Sequence, residues 1–392
     1  MQKSYDVVIV GGAVMGSTVA YHLAAEPAFD GSVLVVERDP SYAECSTTRS
    51  WGGIRQQFTV PESIRMSLYG AQFVKSIGEH LSVDGETPDV GFREEGYLYL
   101  VPEERLEALH AAQEIQRAHG ARLALLRPDE LAERFPDLNL EGVAAGSFGL
   151  ENEGWIDPAA LSDAFRRKAR SLGVQYLNDE VVDVERVADR VTGVRLAKGG
   201  GVAAGLVVNA AGMHAAKVAG MAGLELPVGP HKVYTFVFDC QQAVAHRPLT
   251  IDVSGLVFRP EGTGFISIFQ EGASEESRCF DFEVDYERFE TLLWPILAHR
   301  VPAFEAIKMR RAWAGHYDHN FFDHNAILGP HPEVAGILFI NGFSGHGLQQ
   351  SPAAGRALAE LITFGAYQSL DLRLFAYDRI AKGEPIPEAY II

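Results

Sequence analysis

Asp6-Val7-Val8-Ile9-Val10 runs into Gly11-Gly12-Ala13-Val14-Met15-Gly16, a helical stretch follows from Ser17 to Ala25, and Val33-Leu34-Val35-Val36 closes on Glu37. The short, uninterrupted apolar runs are the pattern of parallel strands buried on both faces. Strand, glycine turn, helix and strand make one βαβ unit. An acidic residue tips its second strand about 20 residues past the turn, the arrangement of a dinucleotide-binding fold. Each piece has its own physical task. Gly11 permits the tight turn, and Gly16 lets helix and strand approach closely. The helix N-terminus offers unpaired N–H groups to a pyrophosphate. Glu37 can accept hydrogen bonds from both ribose hydroxyls and disfavours a 2′-phosphate. Ala13 departs from the usual second glycine by one methyl group.

Outward from this unit, the chain has 392 residues, enough for two domains or one large domain with a second lobe. Thirty-four basic residues against 52 acidic ones give a net charge of −18, which excludes nucleic acid as a main partner. Hydrophobic residues make up 47% and charged residues 22%, so wholesale disorder is excluded too. Cys45, Cys240 and Cys279 match neither a zinc spacing nor a disulfide framework. The chain enters its first strand almost at once, leaving no room for a signal peptide, and Asn209, His214 and Lys217 interrupt its most apolar stretch. A cytoplasmic protein without membrane insertion is expected.

Helical spacing covers 62–82 and 103–119, with a strand at 96–101 between them. Asp157-Pro158 reads as an N-cap followed by proline at the first helical position. Strands follow at 173–177, 180–184 and 206–210. From Lys232 to Phe282 the pattern becomes β-rich with aromatic alternation, and a helix is expected at 286–297. These segments predict an α/β protein. A Rossmann-like parallel sheet with helices (1–88, 142–220 and 326–392) is interleaved with an α+β substrate domain on an antiparallel sheet (89–141 and 221–325).

Near the C-terminus the strand Ile337–Asn341 enters a second glycine turn, Gly342-Phe343-Ser344-Gly345-His346-Gly347, which opens a helix to about Thr363. Two such units suggest a cofactor touched at both ends. A helix N-terminus aimed at an isoalloxazine would stabilise negative charge on the reduced ring, which favours a flavin over a nicotinamide.

The N-terminal VVIVGGAVMG and VLVVERD, the strand-turn VVNAAGMHA and the C-terminal GFSGHGLQQSPAAGRALAEL resemble the D-amino-acid oxidase-like FAD-dependent oxidoreductases, which include sarcosine oxidase and glycine oxidase. Ser50-Trp51-Gly52-Gly53-Ile54, Gln56-Gln57-Phe58, Glu153 to Pro158 and the closing Ile391-Ile392 look most like the FAD-dependent oxidoreductase domain-containing group, whose mitochondrial member assists respiratory complex I assembly. The resemblance implies that Gly11, Gly12, Ala13 and Gly16 hold the pyrophosphate, and Glu37 and Arg38 the adenosine ribose. Ser46 and Thr47 would meet phosphate or flavin oxygens, and Val182 would meet the adenine through its backbone. Ala211 and Gly212 would line the dinucleotide. Gly342, Gly345, His346, Gly347, Leu348 and Gln349 would sit at the pyrimidine end of the flavin.

Two departures accompany the likeness. The stretch Ala314-Gly315-His316-Tyr317 holds no cysteine where sarcosine oxidase links its flavin, and STTRSWGG holds no histidine where related enzymes do, so FAD is expected to be noncovalent. Gln349 stands where sarcosine oxidase has a substrate-holding lysine. The implied reaction is oxidation of a small secondary or N-substituted amino acid, sarcosine-like or iminodiacetate-like, to an imine that hydrolyses, with O2 reduced to H2O2. A D-amino-acid or 2-hydroxy-acid dehydrogenase with another acceptor, and a non-catalytic FAD-binding assembly factor, stay open, as does oligomerisation. A substrate carboxylate is best held by a bidentate Arg; the resemblance implies Arg55, since the corresponding region of sarcosine oxidase supplies a substrate-side Arg, and Arg259 is the second candidate. His346, between two glycines, is placed beside the flavin. Tyr234 and Tyr317 read as core aromatics or pocket walls. His316, His319 and His324 with Asp318 and Asp323 lack metal-site spacing, and no metal is expected.

Overall fold

A computed structural model describes residues 2–270, 272 and 274–388, so Ile391 and Ile392 lie outside the described residues. Two eight-stranded sheets organise the chain. In the first, the strand Ser4–Val10 lies between Gly201–Asn209 and Val33–Glu37, both parallel to it. Ile337–Asn341 extends the parallel run on one side and Gln175–Asn178 on the other. Ile327–Pro330 closes one edge antiparallel, and the hairpin Val181–Val187/Arg190–Leu196 folds back on Gly201–Asn209. Val8, Ile9, Val35, Val207 and Val208 are all buried, as strands covered on both faces must be.

The second sheet carries Ile307–Asn320, Val228–Cys240, Gly264–Phe269, Leu256–Glu261, Leu249–Ile251, Tyr97–Val101, Ala145–Gly149 and Leu123–Leu126 in that order. Every pair is antiparallel except Leu249–Ile251 with Tyr97–Val101. Its core is aromatic, built on Phe236, Phe238, Phe258, Phe265, Phe289 and Phe304. The α/β class with a parallel sheet and an antiparallel second lobe stands, and two local expectations change. Ala145–Gly149 joins the second sheet, although it falls inside the segment 142–220 assigned to the first. Its sequence, AGSFG, carries no periodicity to reveal its partner. Arg190–Leu196 is an unanticipated strand. The helix expected at 286–297 is present and runs on to Arg300, wound more widely over Phe289–Leu293 before Trp294–Arg300.

The helices Val14–Ala25 and Gly347–Phe364 cross at Gly355, where a Cβ would lie 2.4 Å from Thr18 Oγ1. The Thr18 hydroxyl donates to the Ser351 carbonyl at 3.2 Å. Their N-termini converge as well, since a Cβ on Gly347 would meet Met15 Cε at 2.8 Å. The sequence-distant glycine turns are therefore brought to one place. Asp157 caps the helix Pro158–Ser171, accepting from the Ala159 and Ala160 N–H groups at 2.9 and 3.0 Å.

Candidate active site

A cleft runs between the two turns, with about 1330 Å³ of empty space, solvent at its mouth included. That is ample for a dinucleotide. Gly11, Ala13, Glu37, Arg38, Ser46, Thr47, Ala211, Gly212, Gly345, Gly347 and Leu348 all line it. Neither helix opening on the cleft has a side-chain N-cap or an acidic residue in its first turn. Their orphan N–H groups and positive ends are left for an anion. A Cβ on Gly11 would sit 2.4 Å from the Ala210 carbonyl oxygen, and one on Gly16 only 1.8 Å from that of Gly11. The backbone is thus bare where a pyrophosphate must approach.

Glu37 anchors the first turn, its carboxylate accepting from the Gly12 and Asp39 N–H groups, each at 2.8 Å. At this end Arg38 donates to His214 Nε2 at 2.7 Å, and His214 stacks on Phe280 with ring centres 4.9 Å apart. Burial, then the Arg38 charge, pulls the His214 imidazole down to about 4, so it is neutral and can accept from the guanidinium. The contact expected at Val182 is through its backbone, which the outward turn of its side chain leaves available. Val181 lines the cleft, whereas the Val182 side chain is 41% exposed. In a strand a one-residue step exchanges the faces.

At the opposite end Tyr317 packs over Gly345, where a Cβ would meet its ring at 3.2 Å. Asp318 follows it and also lines the cleft. Its Oδ2 accepts from the Gly342 and Phe343 N–H groups at 2.9 and 3.3 Å, and burial pushes its carboxyl up to about 6.

Arg55 is buried beside this end. Its Nη2 donates to His346 Nε2 at 3.0 Å, and its guanidinium lies 4.8 Å from the centre of the Phe58 ring. Because Arg can only donate, His346 accepts at Nε2. Gln349 fixes the backbone here, its Oε1 accepting from the Arg55 N–H at 2.6 Å. Burial opposes the Arg55 charge, but Tyr99, Tyr97, Glu153 and Glu388 outweigh it and hold the guanidinium above its usual value. Glu153 is fully buried and accepts from the Gln56 N–H at 2.7 Å and the Gln57 amide at 2.9 Å. Burial pushes its carboxyl up to about 7 despite those bonds.

Arg259 is not part of this constellation. It pairs with Glu261, donates to the Trp51 carbonyl at 3.1 Å and lies 4.8 Å from the Trp155 ring centre, lining a separate cavity. Its carboxylate partner is already present, so the structure does not place it as a substrate ligand. Tyr234 likewise faces another pocket, whereas Tyr317 is on the cleft. Gly12, Gly16, Arg55, Gly342, His346 and Gln349, all expected at the site, do not themselves line the cleft. Cys45, half-buried on the cleft, has its thiol pushed up by burial, which opposes thiolate chemistry there. Among the described residues no group of three or more His, Cys, Asp or Glu is placed to hold a metal ion. Among them, too, no helix is long and apolar enough to cross a membrane.

Residues 6–361 match the family model described as FAD dependent oxidoreductase. The chain belongs to this family. FAD is therefore its cofactor, and the bare turns, uncapped helix ends and Glu37 fit it. An FAD-dependent oxidoreductase domain-containing protein 1 from Xenopus laevis is 44% identical over 422 aligned positions, covering 99% of this chain and 85% of that relative. Human mitochondrial sarcosine dehydrogenase is 26% identical, covering 93% of this chain and 40% of its own length. The L-proline dehydrogenase from P. horikoshii superposes with a TM-score of 0.86 at 27% identity, covering 98% of this chain and all of that one. This family member is an enzyme, a flavin-dependent oxidoreductase. Asp318, Glu153, His214 and Val181 are the site residues that sequence reasoning missed. Only Glu153 carried a signal, as the acid inside the EGWIDP motif.

Proposed function

We propose that the chain oxidises the C–N bond of a small secondary amino acid to an imine that water hydrolyses. The observation that carries this reading is the Arg55–His346 pair, a buried guanidinium beside the second glycine turn. Two of the similar proteins are named for secondary amino acids, sarcosine and L-proline, which supports the substrate class.

Bound FAD supplies the two-electron acceptor for the carbon–nitrogen bond. Gly11, Ala13 and the N-terminus of Val14–Ala25 would hold its pyrophosphate, and Glu37 its ribose. Ser46 and Thr47 would meet phosphate or flavin oxygens, and Gly345, Gly347 and Leu348 would back the ring. Arg55 clamps the substrate carboxylate, and the neutral Nε2 of His346 keeps the guanidinium oriented without cancelling its charge. Gln349 and Glu153 fix the backbone on either side of Arg55, so that the clamp cannot swing. Tyr97, Tyr99 and Phe58 exclude water from the clamp, which strengthens a charge-assisted contact there. The amine must arrive neutral at its nitrogen for electrons to leave. No cation but Arg55 is needed to hold it.

Anaerobic addition of N-methylglycine, L-proline, D-amino acids or 2-hydroxy acids to the yellow holoprotein tests this. Bleaching of the visible flavin band by a secondary amino acid is expected, and bleaching by 2-hydroxy acids alone would overturn the reading. Admitting air then decides between oxygen, giving hydrogen peroxide, and another acceptor. The FAD is noncovalent in this reading and leaves with the supernatant on denaturation.

A further inference from the structure

We propose that Asp318 tunes the redox potential of the bound FAD, its carboxylate acting as a fixed negative charge at the ring end of the cleft. The inference rests on the placement of the ring beside the second glycine turn.

Asp318 lies on the strand Ile307–Asn320, opposite Pro230. Oδ2 is used twice, by the Gly342 and Phe343 N–H groups. The Asp318 carbonyl accepts a third bond from the Ser344 N–H at 3.2 Å. Oδ1 has no hydrogen-bond partner among the described residues, and none of their Lys, Arg or His side chains forms an ion pair with Asp318. What surface the side chain keeps faces the cleft, beside Tyr317 and Gly345.

Anchoring two N–H groups needs an oxygen but not a charge, and an asparagine would serve. A half-buried carboxylate with no counter-ion costs stability, so its charge is expected to act on something. The group that fills this end of the cleft is the flavin ring. Reduction adds two electrons, with one or two protons, and leaves the ring at least as negative as before. Asp318 opposes that charge, against the favourable field from the N-terminus of Gly347–Phe364. The two effects together set how readily the ring takes electrons from an amine and gives them up again.

Asp318→Asn is the discriminating variant, because its carbonyl oxygen still serves Gly342 and Phe343 while the charge is gone. Titration of the holoprotein against a reference dye of known potential should show a higher midpoint potential. Equivalently, reduced FAD should gain on the order of tenfold in affinity relative to oxidised FAD. Asp318→Ser, also uncharged with an oxygen acceptor, should shift in the same direction. An unchanged or lowered potential in both variants overturns the proposal. Gly345→Ala checks the ring placement independently, since its Cβ would press on Tyr317 and its φ is +97°. A perturbed flavin spectrum in this variant supports the placement. An unperturbed spectrum overturns the placement and the proposal with it. A perturbed spectrum with unshifted potentials overturns the tuning role alone.

Discussion

The two glycine turns are built alike and anchored differently. In each, a buried strand enters a turn, the turn opens an uncapped helix, and a carboxylate from elsewhere accepts from backbone N–H of the turn, Gly12 at the first and Gly342 with Phe343 at the second. At the first turn this is Glu37, taken from the next strand of the same sheet. At the second it is Asp318, delivered from the antiparallel sheet of the other lobe. The first anchor ties a βαβ unit to itself. The second ties the two lobes together at the end where Arg55 and His346 lie, so chemistry and interlobe geometry are coupled there. The nucleotide end is thus anchored within one βαβ unit and completed by Val181, Ala211, Gly212 and His214, whereas the reactive end exists only once both sheets have folded.

The largest effect expected from breaking this comparison is at Gly16. Gly16→Val forces a side chain onto the Gly11 carbonyl 1.8 Å away, backbone that cannot yield. It should abolish FAD retention and cost about 3 kcal/mol or more of stability, read as flavin content and thermal midpoint. Gly347→Ala at the second turn meets Met15 Cε, the movable end of a flexible side chain. It should keep most of the flavin, and equal loss in the two variants would erase the proposed asymmetry.

Arg55→Lys comes next. A lysine retains charge but not the bidentate fork, and the substrate dissociation constant should rise by roughly 10–100-fold with FAD content unchanged, measured by anaerobic bleaching at graded substrate. Glu37→Ala should weaken FAD about 10-fold while leaving substrate selectivity alone, read by fluorescence titration of the apoprotein.

A further effect separates in pH rather than in affinity. Burial pushes the Glu153 carboxyl up from its ordinary 4.5 to about 7, so the folded state holds the extra proton between these values. Its contribution to stability therefore falls as pH rises from about 4.5 to 7, by on the order of 3 kcal/mol in full. Glu153→Gln should flatten this component. The stability difference between wild type and variant should change across that window and be constant above about pH 8, as denaturant unfolding at a series of pH values will show.

The same contrast explains what could be read in the sequence. The first turn and Glu37 were legible because the bond that anchors them lies within one βαβ unit, and the buried apolar runs at 6–10 and 33–36 announce their sheet. The second turn was legible as a turn, but not its anchor, since Asp318 sits in AGHYDHN with nothing nearby to mark its partner 24 residues on. Arg259 looked like a carboxylate ligand, but Glu261 two residues away on the same strand face takes its charge. Ala145–Gly149 went to the wrong sheet because small residues carry little pattern. Long-range pairing, not local propensity, decided each of these.

The measurement that tests the two-turn account most directly is binding of FAD, FMN and ADP to the apoprotein by titration calorimetry. The account predicts weak, independent binding of each half, ADP at the Glu37 end and FMN at the Asp318 end. FAD should bind far more tightly than either, because one molecule engages both turns. ADP binding as tightly as FAD, or FMN failing to bind at all even with ADP present, would contradict the claim that both turns hold one cofactor.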